Sequence, residues 1–439
     1  MSNLIECTRS LLDIARAEMA GCSMSKRTDL FYQQKIQQLW ERATKSQAYS
    51  KLPPYSAQAF ASLLPTERQQ LKDNPLDFLA IPINKALKYY ETTGTTGRPT
   101  PTPRVREDII WNTTSVMDAW GVIIQPDDRV LILLPSDIVP VADLVVGVCE
   151  NLGVLHTKAY PFTLGISDWD RIETVASNFK PTVIFIAPGV CQQFTRVLRQ
   201  RGVFEVVSSS VQTIMLLGEV NTPAFRHRLG QWWGASVFDA SYGSTETGTL
   251  AAACREGHQH LLCGANYFEI RNEQGLTPLV STDELTGRLV VTPLNLFARP
   301  LLRFDTGDVV TVSTGCSCGA DSPRVMVHGR TSDAILLHSY PVRVRSLEDV
   351  VYGASNATGY LVETAKDGSF GRLLLERNPE WDRSEEPKII QDIQSRSLST
   401  LATTWDEVRF VNTLPSNTKS GASQKSWKRS NIRVIEVAA

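Results

Sequence analysis

Residues 89–104 read YYETTGTTGRPTPTPR, and within them Thr92, Thr93, Thr95 and Thr96 surround Gly94 and Gly97. So dense a mixture of Gly and Pro excludes helix, and its polarity excludes a buried strand. The glycines free the backbone to curl. Amides in such a curl converge on an anion, and the threonine hydroxyls add donors. The chemistry expected is a grip on phosphate, with an ordinary surface turn as the competing reading. A second group is made of soft ligands. Cys316 and Cys318 sit in the Gly-flanked GCSCG, and Cys254 and His260 precede them in the chain. Three thiolates and one imidazole satisfy a closed tetrahedral zinc site, so structural zinc is expected, against free thiols in a loop. No carboxylate and base accompany them to make such a zinc catalytic. No Ser-His-Asp spacing, paired-carboxylate pattern or dinucleotide fingerprint stands beside either group.

The elements that must position these residues follow from periodicity. The chain has 439 residues, too many for one core, so two or three domains are expected. Its 45 basic and 46 acidic residues give a net charge of −1, which offers no basic excess for nucleic acid or an anionic membrane. The N-terminal stretch is broken by Glu6, Arg9, Asp13 and Arg16, and no apolar run reaches the roughly 18 residues of a membrane span. Eight cysteines without an export signal point to a reducing, cytoplasmic setting. Residues up to about 75 carry helical spacing and no evident chemistry. A strand-like run is expected over residues 78–87 and a helix over 107–120. From there to about residue 250, short apolar strands alternate with helices, the pattern of a parallel sheet covered on both faces. Ligands of such sheets sit beyond the carboxyl ends of the strands, where Gly218-Glu219 and SYGSTETG (241–248) fall. Short strands over 265–330 predict a smaller antiparallel or barrel-like unit. The fold class expected is α/β, with a large domain over 1–329 and a small α+β domain over 330–439.

Four stretches join the opening loop in order: SYGSTETG, RFDTGD (303–308), HGRTSDAILL (328–337) and the Lys-rich TLPSNTKSGASQKSWKR (413–429). Their order and spacing resemble the adenylate-forming superfamily of acyl-CoA synthetases and adenylation domains, most of all its phenylacetate–CoA ligase branch. FKPTVIF, the glutamate of LLGEV and GCSCG strengthen the likeness to that branch. The resemblance implies activation of a carboxylate by ATP and Mg²⁺ to an acyl-adenylate, with the C-terminal domain mobile. By resemblance, residues 92–97 hold the β- and γ-phosphates, and Arg98 or Arg104 stands in for a lysine the family often has after the loop. Ser241, Tyr242 and Gly243 line the nucleotide, with Tyr242 stacked on adenine. Gly218 and Glu219 line the other face of the purine. Thr245 touches the α-phosphate and Glu246 holds Mg²⁺, a hard cation that takes carboxylate and phosphate oxygens. Asp308 accepts both ribose hydroxyls. Arg330 contacts ribose or phosphate, with Arg303 a weaker candidate. The branch's zinc ligands map to Cys254, His260, Cys316 and Cys318, with Cys263 as an alternative fourth ligand.

Departures from the family pattern bear on the second half-reaction. Ser332, followed by Asp333, stands at the hinge aspartate. Ser339, followed by Tyr340 and Pro341, stands where a glycine lines the pantetheine tunnel. The C-terminal Gly-Lys pair is replaced by Gly421-Ala422, leaving Lys425 as the catalytic lysine expected, ahead of Lys419 and Lys428. The acid is expected among Ser136, Asp137, Val139, Pro188, Gly189, Ala240, Ser241 and Thr247. The reading is an ATP-dependent ligase that transfers an aromatic or similar acid to CoA or a carrier-protein thiol; homodimers are compatible with it. One alternative keeps adenylation but passes the acyl group to a nitrogen nucleophile. The other is a nucleotide-binding regulatory protein that has lost the chemistry.

Overall fold

Helix Asp29–Ala43 shows how the sequence pattern becomes structure: Tyr32, Ile36, Leu39, Trp40 and Ala43 recur at helical spacing and are its buried residues. They enter a core shared with Phe268, Ile270, Leu289, Val291 and Phe304. The computed structural model describes residues 2–20, 29–92, 98–163, 165–279, 284–330, 334–378, 382–414 and 431–436. Thr93, Gly94, Thr95, Thr96, Gly97, Ser332, Asp333, Lys419, Ala422, Lys425 and Lys428 lie outside the described residues. The described chain groups into two units, residues 1–158 with 239–327, and residues 159–238 with 328–439.

In the first unit, strands run in the order Gly275–Pro278, Asn266–Asn272, Leu285–Pro293, Phe304–Ser313, Arg324–Arg330, Gln259–Leu261, Gly248–Ala253 and Ser241–Ser244. The pairings 266–272 with 285–293 and 285–293 with 304–313 are antiparallel, as expected for this region. Thr66–Glu67 joins the same sheet, parallel to Phe304–Asp305, where the periodicity predicted helix; the helix starts one residue later, at Arg68. Arg129–Leu133 and Leu155–Lys158 pair in parallel in the same unit. The expected strand over 78–87 is instead a run of turns around a 3₁₀ turn, Ile83–Lys85, after Pro82, which has no N–H to give a ladder. The strand is Lys88–Glu91, and it pairs antiparallel with Pro101–Arg104. The opening stretch is therefore a β-hairpin. Its neck is closed by Thr92 N–H to Thr100 O at 3.2 Å and by Thr100 N–H to Thr92 Oγ1 at 2.9 Å.

The stretch ASVFDASYG (235–243) forms two strands, divided at Ala240. Ser236–Asp239 lies beside Thr213–Leu216, whereas Ser241–Ser244 turns into the antiparallel sheet. The reversal is held by Trp120, fully buried on helix Arg106–Trp120, whose Nε1 donates to Ala240 O at 2.9 Å.

In the second unit, Val183–Ile186 and Thr213–Leu216 pair in parallel. A four-stranded sheet in the order Glu407–Val411, Gly371–Glu376, Gly359–Ala365 and Ile432–Ile435 is flanked by helices Val344–Ala354 and Glu386–Leu401. Residues 334–344 form two short strands, Ile335–Leu337 and Tyr340–Val342, joined by His338 and Ser339 in the left-handed region at φ 49° and 72°. Ser339 thus occupies a conformation that costs any residue but glycine about 1–2 kcal/mol. Gln192 ties helix Pro188–Gln200 to the Tyr352 hydroxyl at 2.6 Å, and buried Arg228 donates to Tyr352 O and Ser355 O. No described helix is long and apolar enough to cross a membrane.

Glu348, on helix Val344–Ala354, is buried beside Glu219 and Asp349. Burial first, then those two carboxylates, push its carboxyl up to about 8, against Arg345 and the Thr222 backbone N–H. A carboxyl raised in the folded state adds stability that is full below its unfolded value near 4.5 and lost as pH rises toward 8. Glu348→Gln keeps the shape and removes the titration. Its melting temperature should exceed the wild type's by on the order of 5 °C at pH 8. The gap should shrink as pH falls toward 4.5; a gap independent of pH would remove Glu348 as its source.

Candidate nucleotide and acid site

Strands Ser241–Ser244 and Gly248–Ala253 close on the turn at residues 245–247, and two glycines let them close. A Cβ on Gly243 would lie 2.3 Å from Gly248 O. Gly248 has φ +79°, and a Cβ there would lie 2.7 Å from Asn112 Oδ1. That Asn112 oxygen accepts the Thr249 N–H at 2.8 Å, which pins the hairpin to helix Arg106–Trp120.

Beneath the turn lies a buried cluster of charge. Arg104 Nη2 donates to Thr245 O at 2.8 Å and to Glu246 O at 2.9 Å. Arg299, 0% exposed, donates to Pro101 O and to Thr102 Oγ1, which locks the 88–104 hairpin to the same place. Burial, then the nearby Arg104, lower the Arg299 guanidinium to about 9. Glu246 is 2% exposed, and its Oε1 accepts Arg68 Nη2 at 3.1 Å. Burial pushes the Glu246 carboxyl up, but Arg68, its own backbone N–H, Arg299 and the Ser244 hydroxyl outweigh it and hold it below its usual range. Asp108, buried and raised chiefly for that reason, accepts the N–H groups of Val105 and Phe297 at 2.8 and 2.5 Å. Arg104 therefore supports the 245–246 turn from below, and Arg98 is exposed beyond the described neck of the 88–104 hairpin.

Tyr242 and Asp308 are brought together: the Tyr242 hydroxyl donates to Asp308 Oδ2 at 2.7 Å. Ser241 is half-buried on the same strand. Arg303 does not reach the site. It is 5% exposed, forks onto Glu269 at 2.6 and 2.9 Å, and donates to the carbonyls of Phe60, Ala61 and Leu63. In the second unit, Gly218 has φ +90°, and Glu219 Oε2 accepts the Gly189 N–H at 3.3 Å. Arg330 ends strand Arg324–Arg330, half-buried.

A cavity of about 80 Å³ lies behind the 245–249 turn. Asn112 and Ile109 of one helix, Pro140 and Asp143 of another, and Asn266 and Asn295 of the sheet side line it. Of the residues expected around the acid, only Thr247 lines it. Ala240 is fully buried at the strand reversal, and Asp137 is exposed.

The soft ligands also converge. The ligand atoms of Cys254, His260, Cys316 and Cys318 all lie within 4.8 Å of one another. Cys254 Sγ and Cys316 Sγ are 4.0 Å apart, close to the roughly 3.8 Å between two thiolates on one tetrahedral zinc. His260 Nδ1 lies 2.7 Å from Ser322 O, so that nitrogen carries the proton and Nε2, 3.4 Å from Cys318 Sγ, is left as the ligand. His258 stands outside the four, with Nδ1 3.5 Å from Cys316 Sγ. Cys263, the alternative ligand, is buried elsewhere, its carbonyl accepting the Tyr32 hydroxyl.

The model of the AMP-binding enzyme family matches residues 83–292, which span the hairpin, the 241–248 turn and the start of the antiparallel sheet. The phenylacetate–coenzyme A ligase of Escherichia coli (strain K12) is 25% identical over 297 residues, 65% of each chain. That of Aromatoleum evansii is 24% identical over 339 residues, 74% of this chain and 73% of its own. Among solved structures, 2-hydroxyisobutyryl-CoA ligase in the postadenylation state superposes with a TM-score of 0.75 at 16% identity, over 92% of this chain and 88% of that one. Residues 83–292 thus match the AMP-binding enzyme family, and the fold over most of the chain is that of adenylate-forming ligases. The chain spans about 65% of the length of the E. coli relative.

The residues that support the turn carry no motif in the sequence. Arg68 lies in the N-terminal stretch that showed no chemistry, and Arg299 lies between two motifs without belonging to either. An arginine embedded in an apolar run, as in LFARPLL, was the one signal available. Removing Arg68 leaves Glu246 buried beside fewer cations. Arg68→Ala should cost about 1–3 kcal/mol near neutral pH. Because Arg68 lowers the Glu246 carboxyl in the folded state, the cost should fade as pH drops below the ordinary carboxylate range. Thermal melting of both proteins from pH 7 to pH 4 checks this, and a penalty that persists unchanged at pH 4 would contradict it.

Proposed function

We propose that this chain is an ATP-dependent ligase that activates a carboxylic acid, aromatic or similar, to an acyl-adenylate and passes the acyl group to the thiol of CoA or a carrier protein. The observation that carries this reading is the Thr245–Glu246 turn, held from below by buried Arg104 and Arg299 and half-buried Arg68, next to the Tyr242–Asp308 pair. In the reaction, a carboxylate oxygen attacks the α-phosphorus of ATP, the bond to the bridging oxygen breaks, and pyrophosphate leaves with that electron pair. Both reactants are anions, so preorganised cations and donors are what the step requires. The loop at Thr92, Thr93, Gly94, Thr95, Thr96 and Gly97 grips the β- and γ-phosphates, and Arg330 and Lys425 add charge. Thr245 donates to the α-phosphate. Tyr242, with Ser241 and Gly243 beside it, receives adenine, Gly218 and Glu219 are the further residues assigned to the purine, and Asp308 receives the ribose. Glu246, held ionised by its cluster, is the carboxylate fitted to Mg²⁺, which would neutralise the triphosphate. Residues 330–439 act as the mobile small domain in this reading, and the setting is cytoplasmic.

A nitrogen acceptor in place of a thiol is favoured by one observation. Ser339 is left-handed and Pro341 follows it in a strand, so the backbone that would line a pantetheine tunnel carries a side chain and a ring. Incubating ATP and acid with CoA, then with amines, and weighing the products separates the two acceptors. Acid-dependent exchange of labelled pyrophosphate into ATP tests adenylation itself. Glu246→Ala should abolish exchange, and Lys425→Ala should slow it at least about a hundredfold while ATP still binds. No exchange with any acid would leave a nucleotide-binding regulatory protein in place of the ligase.

The four soft ligands fit a structural zinc held by Cys254, His260, Cys316 and Cys318, a closed donor set with no open position. Purified protein should carry one zinc per chain by elemental analysis. Cys316→Ser should lose it and melt several degrees lower, and a zinc-free wild type of unchanged stability would refute the assignment.

A further inference from the structure

The cavity behind the 245–249 turn is selective about what it leaves unpaired. Its carboxylates are occupied. Asp108 accepts backbone N–H groups at Val105, Phe297 and Ala298. Asp143 accepts Lys88 Nζ at 2.5 Å and the Tyr90 hydroxyl at 2.7 Å. Asn112 Oδ1 is taken by Thr249 N–H, and Asn295 Oδ1 by Lys35 Nζ at 3.3 Å. Among the described residues, two lining side chains keep a buried polar atom without a partner, and both atoms are donors: Arg104 Nη1 and Asn295 Nδ2. Arg104 is 6% exposed and Asn295 7%. A donor buried without an acceptor is costly, and a protein that keeps two on one cavity gains when an acceptor arrives.

The surrounding charge points the same way. Arg104, Arg299 and Arg68 face two carboxylates, Glu246 and Asp108, so the cluster under the turn has more cations than anions. A purely hydrocarbon tail would leave both donors unpaired and would close the cavity over them.

We infer that the acid this protein activates carries a second hydrogen-bond acceptor on its tail, a carbonyl, carboxylate or ring nitrogen, and that Arg104 and Asn295 select for it. The inference rests on the reading of the site as an acid-activating centre. The reacting carboxylate stays at the Thr245 end and the tail acceptor meets Arg104 Nη1 and Asn295 Nδ2. A site built to hydrogen-bond a substrate group rejects the isostere that lacks it far more strongly than an apolar pocket rejects a missing methylene.

The test is pyrophosphate exchange with matched acids: phenylacetate against the pyridylacetates, and pentanoate against 4-oxopentanoate. Each acceptor-bearing acid that is turned over should beat its hydrocarbon partner by at least about tenfold in kcat/KM. Asn295→Asp, an isosteric change that turns the Nδ2 donor into an acceptor, should collapse or reverse that ratio. Arg104→Met should lower the ratio as well, and circular dichroism shows whether either variant has lost its fold. Equal use of both members of every pair by the wild type would overturn the inference and leave the adenylation reading standing. An Arg104→Met variant that slows all acids alike, with the ratio intact, would also overturn it, because Arg104 would then act through the turn it holds and not on the tail. No exchange with any acid would overturn both readings at once.

Discussion

Ionised groups under the Thr245–Glu246 turn have been taken out of water, and the turn depends on how they are paired. A guanidinium or carboxylate in this position is costly unless it is paired or hydrogen-bonded. Arg104 meets the requirement by holding two backbone carbonyls, Arg299 by holding the hairpin, and Glu246 by pairing with Arg68. Three stretches distant in sequence are thereby joined: the Pro101–Arg104 strand, the 241–248 motif and the N-terminal helix that begins at Arg68. Preorganisation of this kind is what a reaction between two anions needs, because donors and cations already in place do not have to reorganise as charge moves.

The same requirement explains the supporting architecture. The chain crosses from a parallel to an antiparallel sheet at Ala240, and the fully buried Trp120 holds the crossing by its indole N–H. Glycines then permit an approach to helix Arg106–Trp120 that no side chain would allow. The turn thus has little freedom to move. Arg303 does for the sheet what Arg104 does for the turn. Its fork onto Glu269 and its three carbonyl bonds tie residues 60–63 to the antiparallel sheet, which explains a conspicuous arginine beside RFDTGD that takes no part in the site.

The α/β class, the alternating strands and helices, the antiparallel region and the order of the motifs were legible because each is written locally. Periodicity records which face of an element is buried, and Gly and Pro record where the chain must turn. The errors were local as well. Pro82 ended an expected strand, and Thr66–Glu67 became a strand because a partner at Phe304–Asp305 was available, which outweighs propensity.

By itself, the sequence determined the α/β class, the likeness to adenylate-forming enzymes and the four soft ligands that the structure brings within 4.8 Å of one another. Those are statements about residue types and spacing, and spacing survives in a linear string. Only the tertiary structure decided that Arg68 reaches Glu246 across 178 positions, that Arg104 lies beneath the turn, and that the unpaired atoms on the cavity are donors. Pairing of buried charge is decided by three-dimensional proximity and by the loss of water. Neither leaves a periodic trace along the chain.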